Sequence, residues 1–99
     1  MSINFTEFAK VMKYLVENNI PCELKSRFGG YLCFVPSTEE KEFDFICHKY
    51  SYGHQKGLIE ITGSIITDEE SKFDSVVGWL TADNMIERIK KYQERKSGE

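Results

Sequence analysis

The chain has 99 residues, of which 40% are apolar and 13% aromatic, and carries a net charge of −3. This composition argues against disorder and fits one domain, with a core that buries roughly 65% of the surface its unfolded chain exposes. The mild negative charge argues against nonspecific binding to nucleic acid or anionic membrane as the main activity. No apolar run approaches the ~20 residues a membrane-spanning helix needs.

Residues 1–99 are read as a single domain with a frayed tail over 96–99. Met1-Ser2-Ile3-Asn4 offers no basic start and no apolar signal core, so the expected location is cytoplasmic. Cys22, Cys33 and Cys47 are odd in number and lack paired spacing, and are read as reduced thiols.

A helix opens the chain. Asn4 and Glu7 have the spacing of a capping box, and Ile3 with Phe8 that of a hydrophobic staple. Phe5, Phe8, Ala9, Met12, Leu15 and Val16 predict one apolar stripe. Asn19, tolerant of a left-handed backbone, and Pro21 predict its end, with Ile20 folding back on Leu15. A hairpin follows. Phe28-Gly29-Gly30-Tyr31 predicts a two-residue turn over the glycines, with Leu24 opposite Val35. That register separates Cys22 from Cys33 by four residues, about 13 Å, too far for a disulfide.

A third strand is predicted over 43–50, with Phe43, Phe45 and Cys47 inward and Asp44, Ile46, His48 and Tyr50 outward. A fourth spans 58–66, with Ile59, Ile61 and Ile65 inward, and a short fifth spans 76–80. Thr67 with Glu70 has capping-box spacing for a helical turn between them. Thr81 caps a last helix whose stripe is Met85, Ile86, Ile89 and Tyr92 and whose end is loaded with Arg88, Lys90, Lys91, Arg95 and Lys96. Trp79, the single tryptophan, is expected to be buried between the fifth strand and this helix. The order predicts an α+β fold: an antiparallel meander of about five strands, with the N- and C-terminal helices packed on one face.

Catalytic and metal chemistry find little support. Cys47 and His48 are adjacent on a strand and point to opposite faces, and no paired-cysteine spacing supplies a zinc site. There is no nucleophile elbow, and Gly29-Gly30 and Gly53-x3-Gly57 lack what a phosphate loop requires. The expectation is a non-enzymatic protein with no metal and no cofactor.

Two surfaces stand out instead. A meander brings its second and fourth connections to the same end of the sheet. Glu39, Glu40, Glu42, Asp68, Glu69, Glu70 and Asp74 gather there against Lys41 and Lys72, seven negative and two positive for a net of −5. This acidic rim is expected to dock on a basic groove of a protein partner, such as one that holds nucleic acid. The second surface is the helix-free face of the sheet, with Leu32, Phe34, Ile46, His48 and Tyr50 and the adjoining Tyr52 loop. Such an apolar face calls for a partner, a dimer mate or a covering loop. Bases of a single-stranded nucleic acid could stack there too, and the acidic balance weighs against it.

Ser51-Tyr52-Gly53-x3-Gly57-Leu58-x-Glu60-Ile61-x-Gly63, followed by Asp74-Ser75-Val76-Val77-Gly78-Trp79-Leu80-Thr81-Ala82, resembles a group of small proteins carried by phages and integrative elements of Gram-positive bacteria. The resemblance implies no catalytic residues. It implies a genomic setting, inside a bacterial host, in which small proteins often inhibit host defence machinery, anti-CRISPR proteins among them. The resulting expectation is a protein-binding module that inhibits a nucleic-acid-binding host enzyme. The alternatives are a structural or regulatory domain that forms a homodimer through its open sheet face, and a weak nucleic-acid binder using the basic last helix.

Overall fold

In the structure, a computed structural model that describes residues 2–98, the first helix, α1, spans Thr6–Glu17. The N-cap is Phe5 and not the expected Asn4, which stands one residue ahead, its Oδ1 accepting from the Thr6 N–H at 2.9 Å and the Thr6 hydroxyl at 2.6 Å. The buried stripe is Phe8, Val11 and Leu15, and the expected Ala9 and Val16 lie one residue round it, in solvent. The helix ends as predicted. Asn19 takes a left-handed φ of 53°, the Ile20 N–H donates to Leu15 O and the Asn19 N–H to Val16 O, a Schellman closure.

Five antiparallel strands follow in the sheet order β1-β2-β3-β4-β5: β1 Glu23–Arg27, β2 Gly30–Val35, β3 Phe43–Cys47, β4 Ile59–Gly63 and β5 Val76–Leu80. The hairpin turn sits one residue earlier than expected. Phe28 and Gly29 are its two central residues, at φ 51° and 72°, Arg27 pairs with Gly30, and Leu24 opposes Cys33 rather than Val35. The reason lies at Gly30. A Cβ there would stand 2.1 Å from Cys47 O, so this glycine serves the close approach of β3 and not the turn. The shift is by two in register, so each side chain keeps its expected face.

Strands β3 and β4 are both shorter than predicted. β3 stops at Cys47, and His48–Ser51 form a tight turn in which the Ser51 hydroxyl binds both backbone groups of His48. β4 stops at Gly63, where φ is 101° and a side chain would strike Glu42 O. Ile65 is still buried, beyond the strand. Between strands β4 and β5 lies α2, Asp68–Ser71, with the complete Thr67–Glu70 capping box.

The expected burial of Trp79 is overturned. Val77 pairs with Ile61 and Leu80 with Ile59, so Gly78 and Trp79 both stand against Glu60. This bulge, with Trp79 at φ 61°, breaks the alternation. Leu80 goes inward and Trp79 is left 53% exposed. The last helix, α3, spans Ala82–Ser97, with Thr81 Oγ1 accepting from the Asn84 N–H. It is helical through Ser97, past the expected start of fraying at 96, and Glu99 lies outside the described residues.

Both helices run from the β1–β2 turn end toward the other and pack on one face. Their ends are tied: Glu7 Oε1 accepts from the Ala82 N–H at 3.0 Å, and the Tyr14 hydroxyl donates to Gln93 at 2.6 Å. The core between helices and sheet joins Phe8, Val11, Leu15, Met85 and Ile89 to Cys33, Val35, Phe43, Phe45, Cys47, Ile59 and Ile61. Phe8 packs on Phe45 at 4.9 Å, and Phe43 meets Tyr92 at 5.1 Å.

Candidate functional site

The meander gives the domain two chemically distinct ends. At one lie the 36–42 and 64–75 connections, where the acidic rim was expected. The structure does bring them together: the Ser64 N–H donates to Glu42 O at 2.9 Å. It also delivers the cationic end of α3 to the same place. Glu42 pairs with Lys96 at 2.6 Å, and the Arg88 guanidinium grips both carboxylate oxygens of Glu70, at 2.8 and 2.6 Å. Arg88 also donates to Ile65 O, and Arg95 to Ser64 O. The Arg88 fork holds the Glu70 carboxyl down at about 2, and Lys96 and Tyr92 lower that of Glu42. Asp74 accepts from the Val76 N–H. Glu39, Glu40, Asp68 and Glu69 remain exposed, with no ion pair among the described residues. Asp74 is exposed and without an ion pair among them as well, so the rim is a five-carboxylate patch, smaller than the sequence suggested, because the helix that balances it is remote in the chain.

That same pairing occupies the basic helix. Arg88 and Lys96 are committed to carboxylates, Arg95 to a backbone carbonyl, and Lys90 lies 3.6 Å from Glu87. A groove of about 750 Å³ runs between α3 and residues 64–67, and its walls mix Arg88, Lys91 and Arg95 with Glu87 and Glu94.

The helix-free face carries Leu32, Phe34 and Ile46 as expected, each half-buried. Its centre is polar. Asp44 is buried there, accepting from the Thr62 hydroxyl at 2.6 Å and facing Lys41 at 3.4 Å. His48, expected as an exposed binding residue, is buried. Its Nδ1 accepts from the Tyr50 N–H at 3.1 Å, and its ring supports Phe28 at 5.2 Å. Tyr50 has left the strand and stands 66% exposed.

The opposite end of the sheet, formed by the β1–β2 turn and the 48–58 loop, gathers exposed aromatic side chains. Phe28 stacks edge-on to Tyr50 at 5.0 Å, and Lys49 lies over the Tyr50 ring at 5.1 Å. Tyr52 is clamped by its backbone. Its N–H donates to Glu60 Oε1 at 2.9 Å and its carbonyl accepts from the Trp79 N–H at 3.2 Å, while its side chain stays 55% exposed. Gly78 leaves room for this: a Cβ there would come within 2.3 Å of Tyr52 Cβ. Gly53 and Gly57, both at positive φ, fold the rest of the loop, and Gly57 abuts the Asn4 carbonyl. Phe28, Tyr50, Tyr52 and Trp79 thus project from a fixed framework, with Arg27, Lys49 and Lys56 exposed nearby. Sequence reasoning picked out Tyr50 and Tyr52 and missed Phe28 and Trp79. Phe73, the most exposed apolar side chain among the described residues, stands apart in the 64–75 connection.

Cys22 lies two residues from Cys33 in register rather than four. All three cysteines are free. Burial, aided by Cys22, pushes the Cys33 thiol well above its ordinary range, and burial also raises Cys47. Thiols held protonated are poor nucleophiles. Among the described residues no three His, Cys, Asp or Glu side chains gather where they could share a metal ion, and no helix is long and apolar enough to cross a membrane.

No family model matches the chain, and no curated protein or solved structure matches it significantly.

Proposed function

We propose that this domain is a non-enzymatic protein-binding module whose working surface is the aromatic end: Phe28, Tyr50, Tyr52 and Trp79, flanked by Leu32 and Ile46. One observation carries the reading. Phe28 and Trp79 both hold left-handed backbone, φ 51° and 61°, and both display their rings to solvent. A bulky side chain in that region costs on the order of 1–2 kcal/mol, and glycine would adopt it freely. Strain of this kind concentrates at functional positions. Rigid, exposed Tyr, Trp and Phe side chains are the anchors that protein interfaces favour. The clamped loop lowers the ordering cost of binding.

The resemblance to small proteins of phages and integrative elements supplies a setting for such a module: an inhibitor acting on a host enzyme. In that version Glu39, Glu40, Asp68, Glu69 and Asp74 are the residues left to face a basic nucleic-acid groove. The neutralisation of Glu42 and Glu70 by α3 ranks this surface below the aromatic end.

A second reading has its own observation. Lys49 over the Tyr50 ring, with Arg27 and Lys56 near, is a pattern suited to stacking the bases of a single strand.

The test is affinity capture from a bacterial host lysate with three baits: the parent chain, a Tyr50→Ser/Trp79→Gly variant, and one with Glu39, Glu40, Asp68 and Glu69 changed to Lys. The reading expects a partner retained by the parent and the charge variant and lost by the aromatic variant. Loss with the charge variant alone transfers the function to the rim. A labelled oligonucleotide bound by the parent chain at physiological salt supports the second reading instead.

A further inference from the structure

β1 and β5 are the two edges of the sheet. The β5 edge is partly occupied, since the Trp79 N–H is bound to Tyr52 O and the Val76 N–H to Asp74. β1 is open, and Leu24 to Arg27 are all exposed. The left-handed Phe28-Gly29 pair makes a two-residue turn of the mirror-image type, so the flanking Arg27 and Gly30 form a hydrogen-bonded pair. Alternation then points the N–H and C=O groups of Glu23, Lys25 and Arg27 at β2 and those of Leu24 and Ser26 outward.

An exposed edge is usually blunted by like charges. This one is self-complementary. On the open face Glu23 and Lys25 are neighbours, 3.1 Å apart, with Glu23 also accepting from the Thr38 N–H and hydroxyl. On the helix-bearing face Leu24 is an apolar side chain left 47% exposed. From this geometry we infer that a second copy of the chain pairs antiparallel along β1, about a two-fold axis at Leu24, to make one continuous sheet.

In this register Leu24 opposes Leu24 of the second copy, and the outward N–H and C=O groups of both bond across the axis. Glu23 of each copy then faces Lys25 of the other, at the closer non-hydrogen-bonded spacing, where opposite charges contribute most. The alternatives fail. A shift of two residues sets Lys25 against Lys25. A shift of one sets the open face of one copy against the helix-bearing face of the other. A five-residue edge makes a small interface, so the dimer is weak and concentration-dependent. It uses a different surface from the aromatic end and does not rest on that reading.

Sedimentation velocity on the full chain over a concentration series tests this. The parent chain is expected to pass from monomer to dimer. Lys25→Glu and Glu23→Lys each turn two attractive pairs repulsive and weaken the dimer about tenfold or more. An equimolar mixture of these two variants restores opposite charges at every cross-strand pair and dimerises again, as does the Glu23→Lys/Lys25→Glu double variant. The double variant carries the test if one single variant is unstable by circular dichroism. A parent chain that stays monomeric throughout overturns the inference. So do a dimer indifferent to both charge changes and a mixture that fails to reassociate.

Discussion

Trp79 shows how a single backbone angle redirects a side chain. Strict alternation along β5 sends Trp79 inward with Val77. The bulge opposite Glu60 and the positive φ of Trp79 send Leu80 inward in its place. A buried tryptophan cut to a small residue costs ~3–5 kcal/mol. For Trp79→Gly the expectation is a change of no more than about 1 kcal/mol, because relief of the left-handed conformation offsets the lost contacts. Urea denaturation of the two proteins measures this, and a loss of several kcal/mol would return the ring to the core. Glu70 supports a second expectation. Its carboxyl is lowered from 4.5 to about 2, chiefly by Arg88, so the folded state holds the anion more tightly than the unfolded chain does. The stabilisation is present above the unfolded value and is lost as pH falls from about 4.5 toward about 2. Allowing for its partial exposure, Glu70→Gln should cost about 1–2 kcal/mol at neutral pH and little at pH 2. Melting curves for both proteins across that range check the sign.

At the scale of elements, the helix signals in the sequence are reliable where they are local and fail where a residue acts at a distance. Thr67 with Glu70, Thr81, and the Asn19–Ile20 ending all lie where the spacing places them. Glu7 does not reach back to Asn4. Its carboxylate accepts from the Ala82 N–H, so a side chain of the first helix caps the last. That hydrogen bond, with Lys10, lowers its pKa. No spacing rule foretells a partner 75 residues away. Glu7→Ala is expected to cost about 1 kcal/mol, and with Thr81→Ala the loss should differ from the sum, since both caps serve the same helix start. Denaturant midpoints for the two single variants and the double variant decide it, and strict additivity would mean the caps act independently. The hairpin has a similar lesson. The faces of Leu24, Cys33 and Val35 were legible from period two, but the turn position was not. Two adjacent glycines offered two sites for positive φ, and the tight contact between Gly30 and Cys47 that settles the matter is tertiary.

For the whole molecule, the net charge of −3 conceals a segregation. Glu39, Glu40, Asp68 and Glu69 stand at one end of the sheet, and Arg27, Lys49 and Lys56 stand with the aromatic side chains at the other. The meander order was legible because each strand is short, alternating and closed by turn residues. The composition of the two ends was legible only in part. Loop charges can be counted from the sequence, but the reach of Arg88 and Lys96 back to Glu70 and Glu42 depends on how α3 crosses the sheet. The central claim is that the aromatic end is the binding surface, and Trp79 reports on it directly. Incorporation of 5-fluorotryptophan gives this chain one fluorine resonance, since it has a single tryptophan. The account predicts a signal at a solvent-exposed position in the free protein that shifts and broadens when the captured partner is added. A complex that forms with the Trp79 resonance unmoved would contradict it.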